Sequence, residues 1–169
     1  EAGRASVGQS VRILPSGETA SIKDIVLFED SLESAEAGQA VTLTLDREVD
    51  ASRGDLIVAG DAPCEVSDQF EVNLVWMEQE PGYVGRSYQL KLGASTVNAQ
   101  ISQIKHKTNI NTFEKLAAAK LELNDLSVVT LKTDKPIAHE AFEACPSMGA
   151  FILIDRMTHQ TVGAGMIRF

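Results

Sequence analysis

Several features that catalytic and nucleic-acid-binding proteins depend on are scarce in this sequence of 169 residues. Its 15 Lys and Arg residues are outnumbered by 24 Asp and Glu residues, and the formal net charge is −9. Binding a phosphate backbone across a broad surface needs a basic face, so the composition argues against nucleic acid as a partner. No apolar run exceeds about five residues, which is too short for a helix that spans a bilayer, and we expect no membrane partner.

Cysteine is almost absent. Cys64 and Cys145 lie far apart, and without a CxxC pair or a larger set neither a zinc knuckle nor a disulfide scaffold is indicated. Residues 1–4 have no apolar segment of the kind found in signal peptides. We therefore expect a cytoplasmic protein in which both thiols are reduced.

Motifs for binding nucleotides or activating a nucleophile are missing as well. No glycine-rich loop ends in Gly-Lys-Ser/Thr, so no cradle of backbone N–H groups is available for phosphates. No Gly-x-Ser-x-Gly nucleophile elbow occurs, and Gly163-Ala164-Gly165 is too short for a dinucleotide-binding motif. The expectation is that this chain contains no catalytic, cofactor-binding or metal-binding residues.

Three groups of residues share some features with functional sites. His139-Glu140 begins like a zinc-protease motif, but residue 143 is Glu instead of the second His, and an exposed loop is the better interpretation. His106 and His159 are interpreted as surface residues, because nothing in the spacing of the histidines predicts that they meet. Asp46, Glu48 and Asp50 share one polar connection, where we expect solvent exposure and no general acid or base.

Two further features have a structural and a functional interpretation. Lys105-His106-Lys107 is a small basic cluster that could contact an acidic partner or RNA, and a solvated strand end is the favoured alternative. Trp76 is the only tryptophan and lies in an alternating segment, where core packing is favoured over ligand recognition.

Short segments of alternating apolar and polar residues are abundant, and turn signals recur between them every eight to twelve residues. This spacing predicts an all-β sandwich or barrel. The predicted strands cover residues 10–14, 19–28, 41–45, 55–59, 70–76, 88–92, 96–104, 128–131, 151–154 and 161–169. An acidic loop is expected at 29–39 and a short helix at 111–120. A break near residues 60–68 predicts two small β units, at 1–62 and 66–169.

Several segments together carry a resemblance to known proteins: residues 3–9 with Val11 and Ile13, 37–41, 53–56, 134–138 and, most specifically, 161–167. In these segments the chain is similar to the C-terminal half of translation-factor-type GTPases, in which a GTP-binding domain precedes two β-barrels. A narrower match rests on residues 14–17, 25–26, 50–56, 75–77, 110–112 and 151–156. In these residues the chain resembles the GTPase subunit of bacterial sulfate adenylyltransferase (ATP sulfurylase).

The resemblance implies two consecutive barrels, like domains 2 and 3 of elongation factor Tu, with the first strand of the first barrel missing. It implies a non-catalytic part of a nucleotidyltransferase, in which GTP hydrolysis supports synthesis of adenosine 5′-phosphosulfate from ATP and sulfate. GTP and magnesium are expected in a GTP-binding domain outside this chain. That domain and the catalytic subunit are the implied partners, and this chain alone is expected to be inactive. The alternative is a tRNA- or ribosome-binding barrel module of a translation factor.

Overall fold

The computed structural model describes residues 2–108 and 114–168, in which the segments of period-two alternation form antiparallel β-strands. The chain divides into two compact units, Glu1–Cys64 and Glu65–Phe169. The only α-helix in the described residues is the single turn α1 (Pro146–Gly149). The predicted all-β class is confirmed. No helix in this part of the chain is long and apolar enough to cross a membrane.

The first unit is a half-barrel. Its strands are β1 (Arg4–Ser6), β2 (Ser10–Leu14), β3 (Glu18–Leu27), β4 (Asp30–Leu32), β5 (Ser34–Glu36), β6 (Thr42–Leu45) and β7 (Leu56–Ala59). The long strand β3 pairs with β2 along its first half and with β4 and β6 along its second half. In the described residues β7 pairs only with β2, so the path of the sheet does not close.

The second unit contains a closed barrel. Its strands are β8 (Glu65–Trp76), β9 (Gly82–Tyr83), β10 (Ser87–Leu92), β11 (Ser95–Thr108), β12 (Lys115–Leu116), β13 (Lys120–Leu121), β14 (Leu126–His139), β15 (Ala150–Ile154) and β16 (Thr161–Ile167). Six strands follow one another in the order β10-β15-β16-β8-β14-β11, and β11 pairs back with β10 to close the ring. Closure pairs both edges of the sheet, which removes free strand edges from the ring.

Irregular pairing lets the long strands bend around this barrel. The register between β11 and β14 shifts after Ile101 and again after Ile104, and the register between β14 and β8 shifts after Lys132. A bulge adds local twist and bends the strand that contains it. These shifts explain how strands of 12 to 14 residues curve around a small core.

The predicted helix at 111–120 is wrong over the part that the structure describes. Residues 111–113 lie outside the described residues, and residues 114–120 contain β12 and the start of β13. Here β12 extends the edge of β11, and β13 pairs with β9 so that Leu121 is fully buried. Strand pairing and burial outweigh the helix propensity of the alanines in this segment.

The acidic segment 29–39 is more structured than the predicted loop. It contains β4, which pairs with the end of β3, and β5, which pairs with β1. Ala35 in β5 is buried in the core of the first unit. Two short segments, which the acidic residues made difficult to recognise as strands in the sequence, therefore pair with β1 and β3.

Candidate docking groove on the second unit

A row of residues crosses the outer face of four neighbouring barrel strands. Lys91 of β10 lies opposite Ile152 of β15, Ile152 lies opposite Ala164 of β16, and Ala164 lies opposite Val75 of β8. Directly opposed residues point to the same face of a sheet, and their sequence neighbours point to the other. The three apolar side chains therefore lie on the outside of the barrel, where they are half-buried.

The next row on the same face adds Ala150 opposite Met166. These six residues (Val75, Lys91, Ala150, Ile152, Ala164 and Met166) are here called the groove, and together with Gly93, Phe151 and Gly165 they line a cavity of about 560 Å³. A contiguous apolar surface on the outside of a barrel is typical of an interaction site, because its contact with water is unfavourable and docking of a partner removes that contact. Lys91 supplies the only charge in the lining, so a partner with an apolar face and an adjacent carboxylate fits the groove.

The glycine at 165 allows the barrel wall to form beneath the groove. Gly165 lies opposite Phe151, whose ring fills the interior. A Cβ atom at Gly165 would lie 2.3 Å from Cζ of Phe151, closer than any non-bonded carbon contact allows. The glycines of the segment 161–167 therefore serve core packing, while Ala164 between them faces the groove.

A polar cluster fixes the loop between β15 and β16 at one end of the barrel. The nearly buried carboxylate of Asp155 accepts hydrogen bonds from the backbone N–H groups of Met157 (2.8 Å) and Thr158 (3.0 Å). Arg86 donates to Asp155 at 2.8 Å and to Glu80 at 2.9 Å. The Thr158 and Met157 N–H groups, aided by Arg86, hold the pKa of Asp155 below its usual value. The carboxylate is therefore a structural anion in this loop.

Trp76 is a core residue, as predicted. Its side chain is buried, its indole Nε1–H donates to the carbonyl of Glu80 at 2.9 Å, and its ring meets Tyr88 edge-on at 5.6 Å. The guanidinium of Arg86 lies 5.7 Å from the centroid of the Tyr88 ring. Burial raises the pKa of Tyr88, although the charge of Arg86 opposes this effect.

The interpretation of His139 as part of an exposed loop is wrong. His139 is the last residue of β14, is buried, and packs against Phe70 with ring centroids 5.0 Å apart. Because β14 continues past Lys135 and Pro136 to its end at His139, the imidazole lies in the barrel. Burial lowers the pKa of His139, and the nearby charge of Glu65 opposes this effect only in part. His159 is exposed, as predicted, and His106 is half-buried.

The remaining candidate residues have structural surroundings. Lys105 pairs with Glu71, and Lys107 pairs with Asp125 and lies 3.5 Å from Glu122, so neighbouring carboxylates offset the charges of this basic cluster. Asp46, Glu48 and Asp50 are exposed, as predicted. Among the residues the structure describes, no group of three His, Cys, Asp or Glu side chains is placed to hold a metal ion.

The fold defines the class of protein. Two solved structures of Sup35, one complexed with GDP and one with GMPPNP, match the chain with TM-scores of 0.88 and 0.87 at 22% and 21% identity. The matches cover 100% and 99% of this chain and 42% of each Sup35 chain. The chain therefore has the β-barrel fold of elongation-factor-type GTPases.

The sequence comparisons are more specific. Residues 69–168 match the family described as GTP-eEF1A C-terminal domain-like, and the chain belongs to that family. It is 46% identical to sulfate adenylyltransferase subunit 1 of Shewanella woodyi over 167 residues, and 46% identical to the bifunctional enzyme NodQ of Azospirillum brasilense over 166 residues. Both alignments cover 98% of this chain, but only 35% and 27% of the relatives. The resemblance to the GTPase subunit of sulfate adenylyltransferase is confirmed.

The groove is the functional feature that sequence reasoning missed. Val75, Ile152 and Ala164 each occupy the outward position of an alternating strand, where a polar residue is the usual choice. Each of these strands can be recognised separately in the sequence. Their alignment into one surface depends on the strand order, which places the distant segments β8, β10, β15 and β16 side by side.

Proposed function

We propose that this chain is the non-catalytic β-barrel region of the GTPase subunit of a sulfate adenylyltransferase. In this role it couples a GTP-binding domain to the catalytic subunit and supports GTP-dependent synthesis of adenosine 5′-phosphosulfate from ATP and sulfate. The observation that carries the proposal is the 46% identity to sulfate adenylyltransferase subunit 1 along nearly the whole chain.

In this proposal, GTP binding and catalysis take place outside this chain. The sequence has no glycine-rich phosphate loop, and we propose that GTP and magnesium bind in the GTP-binding domain. The barrels then act through surfaces, by holding partners in a geometry that depends on the bound nucleotide. Cys64 and Cys145 form no disulfide, which suits the cytoplasm as the proposed compartment.

We assign the groove to the GTP-binding domain. The lining is apolar apart from Lys91, and it runs across four hydrogen-bonded strands, so it offers a firm surface to a folded partner. A firm surface limits the entropy that is lost when a partner docks. Docking would bury Ile152, Val75 and Met166, which otherwise remain partly in contact with water.

The groove assignment is tested by binding between this chain and the part of the Shewanella woodyi subunit that the chain does not match, produced separately. Ile152→Glu places a charge in the apolar lining, and we expect it to weaken binding by about tenfold or more. Gln103→Glu is the matched control, because Gln103 is exposed on β11 outside the groove. Equal loss in both variants would show that added negative charge, and not the groove, is responsible.

The function as a whole is tested with the catalytic subunit. We expect the chain to co-elute with that subunit in size-exclusion chromatography and to leave tRNA unbound in the same buffer. The alternative function, a tRNA- or ribosome-binding module, is favoured by the Sup35-like fold alone. Saturable tRNA binding without binding to the catalytic subunit would favour the alternative.

A further inference from the structure

The turn between β3 and β4 carries an exposed aromatic side chain. Leu27 pairs with Asp30, so the connection consists of Phe28 and Glu29 alone. Phe28 is 95% exposed, the highest value among the large apolar side chains of the described residues. Its backbone φ is 57°, in the left-handed region. Residues 27–30 are called the Phe28 tip below.

Folding of the hairpin does not explain a phenylalanine at this position. When the first residue of a two-residue hairpin turn has positive φ, glycine is the usual choice and asparagine the next, because a bulky side chain is strained there. Phe28 also gains no burial that could offset the strain. A residue that violates the local rule without a compensating contact is a candidate for a functional role.

The surroundings of Phe28 are acidic. Residues 23–36 contain five carboxylates and one lysine. Glu29 and Asp30 are exposed, and in the described part of the chain no cationic group lies within ion-pair distance of either one. Negative charge beside Phe28 repels a phosphate backbone and attracts a surface that carries Lys or Arg.

The half-barrel holds the Phe28 tip in place. Strand β3 has ten residues and pairs with three other strands, and Ile25, three residues before Phe28, is completely buried. A supported tip needs little ordering when it docks, which favours binding.

We propose that the Phe28 tip is a protein-docking element, in which Phe28 inserts into an apolar pocket rimmed by Lys or Arg side chains on the catalytic subunit. The choice of partner rests on the function proposed above, in which the barrels hold that subunit. Phe28 supplies the buried contact, and Glu29 and Asp30 supply charge complementarity at the rim. Aromatic anchors in apolar pockets are a common source of interface affinity.

The test is titration of the purified catalytic subunit with the full 169-residue chain and its variants. Phe28→Asn removes the ring and is compatible with positive φ, so the fold is retained, and we expect affinity to fall about tenfold or more. Phe28→Tyr keeps the ring and is expected to stay within about threefold of the parent chain. Met157→Ser is the matched control, because Met157 is 87% exposed but lies in the second unit, and no change is expected.

Charge is tested separately from the ring. The double variant Glu29→Gln, Asp30→Asn is expected to bind more weakly at low salt and to show a smaller decrease in affinity as salt is added. An unchanged salt dependence would contradict the basic rim on the partner.

The outcomes distinguish the two proposals. If the parent chain and Phe28→Asn bind the catalytic subunit equally well, the docking role of the Phe28 tip is wrong, while the proposed function stands. If the parent chain does not bind the catalytic subunit, both the docking role and the proposed function are wrong. If the parent chain binds tRNA and Phe28→Asn abolishes that binding, the tip is a nucleic-acid site and the proposal is wrong.

Discussion

At the scale of single residues, two positions are placed against their own preferences. Phe28 adopts a left-handed backbone in full contact with solvent, and His139 is an imidazole enclosed in a barrel interior. Each arrangement has a thermodynamic consequence that can be measured without knowledge of any partner.

Phe28→Asn is expected to stabilise the chain by about 0.5–1 kcal/mol, because asparagine tolerates the positive φ and no buried contact is lost. Chemical denaturation of the first unit measures the change. Phe28→Ala is the control, since alanine retains the strain and is expected to leave stability nearly unchanged. Destabilisation by Phe28→Asn would mean that the ring makes a stabilising contact within the chain.

His139 is expected to make stability depend on pH near neutrality. Burial lowers the pKa of His139 in the folded state below its value of 6.5 in the unfolded chain. The unfolded state therefore binds the proton more readily, so stability is fully present above about pH 7 and declines as the pH falls below 6.5 towards the folded-state pKa.

Denaturation between pH 7.5 and 5.5 checks this dependence. His139→Gln should flatten the decline, whereas the control His159→Gln, at an exposed position, should leave the slope unchanged. A parent chain that is equally stable across this range would contradict the prediction.

At the scale of elements, strand β16 shows how one sequence motif serves two faces of a sheet. Its glycines point towards the interior, where Gly165 admits the ring of Phe151, and Ala164 and Met166 point outwards to the groove. Neighbouring positions therefore have independent roles, and substitutions at them should separate stability from docking.

Gly165→Ala is expected to destabilise the second unit by about 1–3 kcal/mol, because its Cβ would overlap the Phe151 ring. Thermal unfolding measures the loss. The paired variant Gly165→Ala, Phe151→Leu frees the space in front of Cβ, so the two changes together should cost less than the sum of each alone. Strict additivity would show that the two residues do not interact.

At the scale of the whole molecule, the two units differ in closure and in core size. In the described residues the first unit, an open half-barrel, has seven buried apolar residues, and the second, with its closed ring, has 18. Buried apolar area is the main favourable term in folding, and unpaired edges open more readily.

Native-state hydrogen exchange should therefore show stronger protection in residues 65–169 than in residues 1–64. The amides of β7 at the open edge should exchange first among the strands of the first unit. Equal protection in a monomeric sample would mean that the first unit is closed in solution.

The thiol content provides a further check on the whole chain. Cys64 and Cys145 belong to different units and form no disulfide. Thiol titration in denaturant, after purification with a thiol-blocking control, is expected to find two thiols per chain. Fewer than two would contradict the proposed reducing compartment.

Much of this architecture was accessible from the sequence, because strand formation depends on local alternation. Segments such as residues 10–14 and 41–45 have a period of two, and they form strands within a residue or two of the predicted bounds. The absence of nucleotide-binding and nucleophile motifs is also a property of the sequence alone, as is the resemblance to the GTPase subunit of sulfate adenylyltransferase.

Tertiary structure decided the features that depend on which strands become neighbours. Residues 114–120 have good helix formers, yet pairing with β11 and β9 makes strands of them, because burial of Leu121 outweighs propensity. The sequence predicts an exposed loop at His139, but this residue ends β14 and its side chain is buried. The groove exists only because the strand order brings Lys91, Ile152, Ala164 and Val75 into one row, and no local pattern encodes that long-range order.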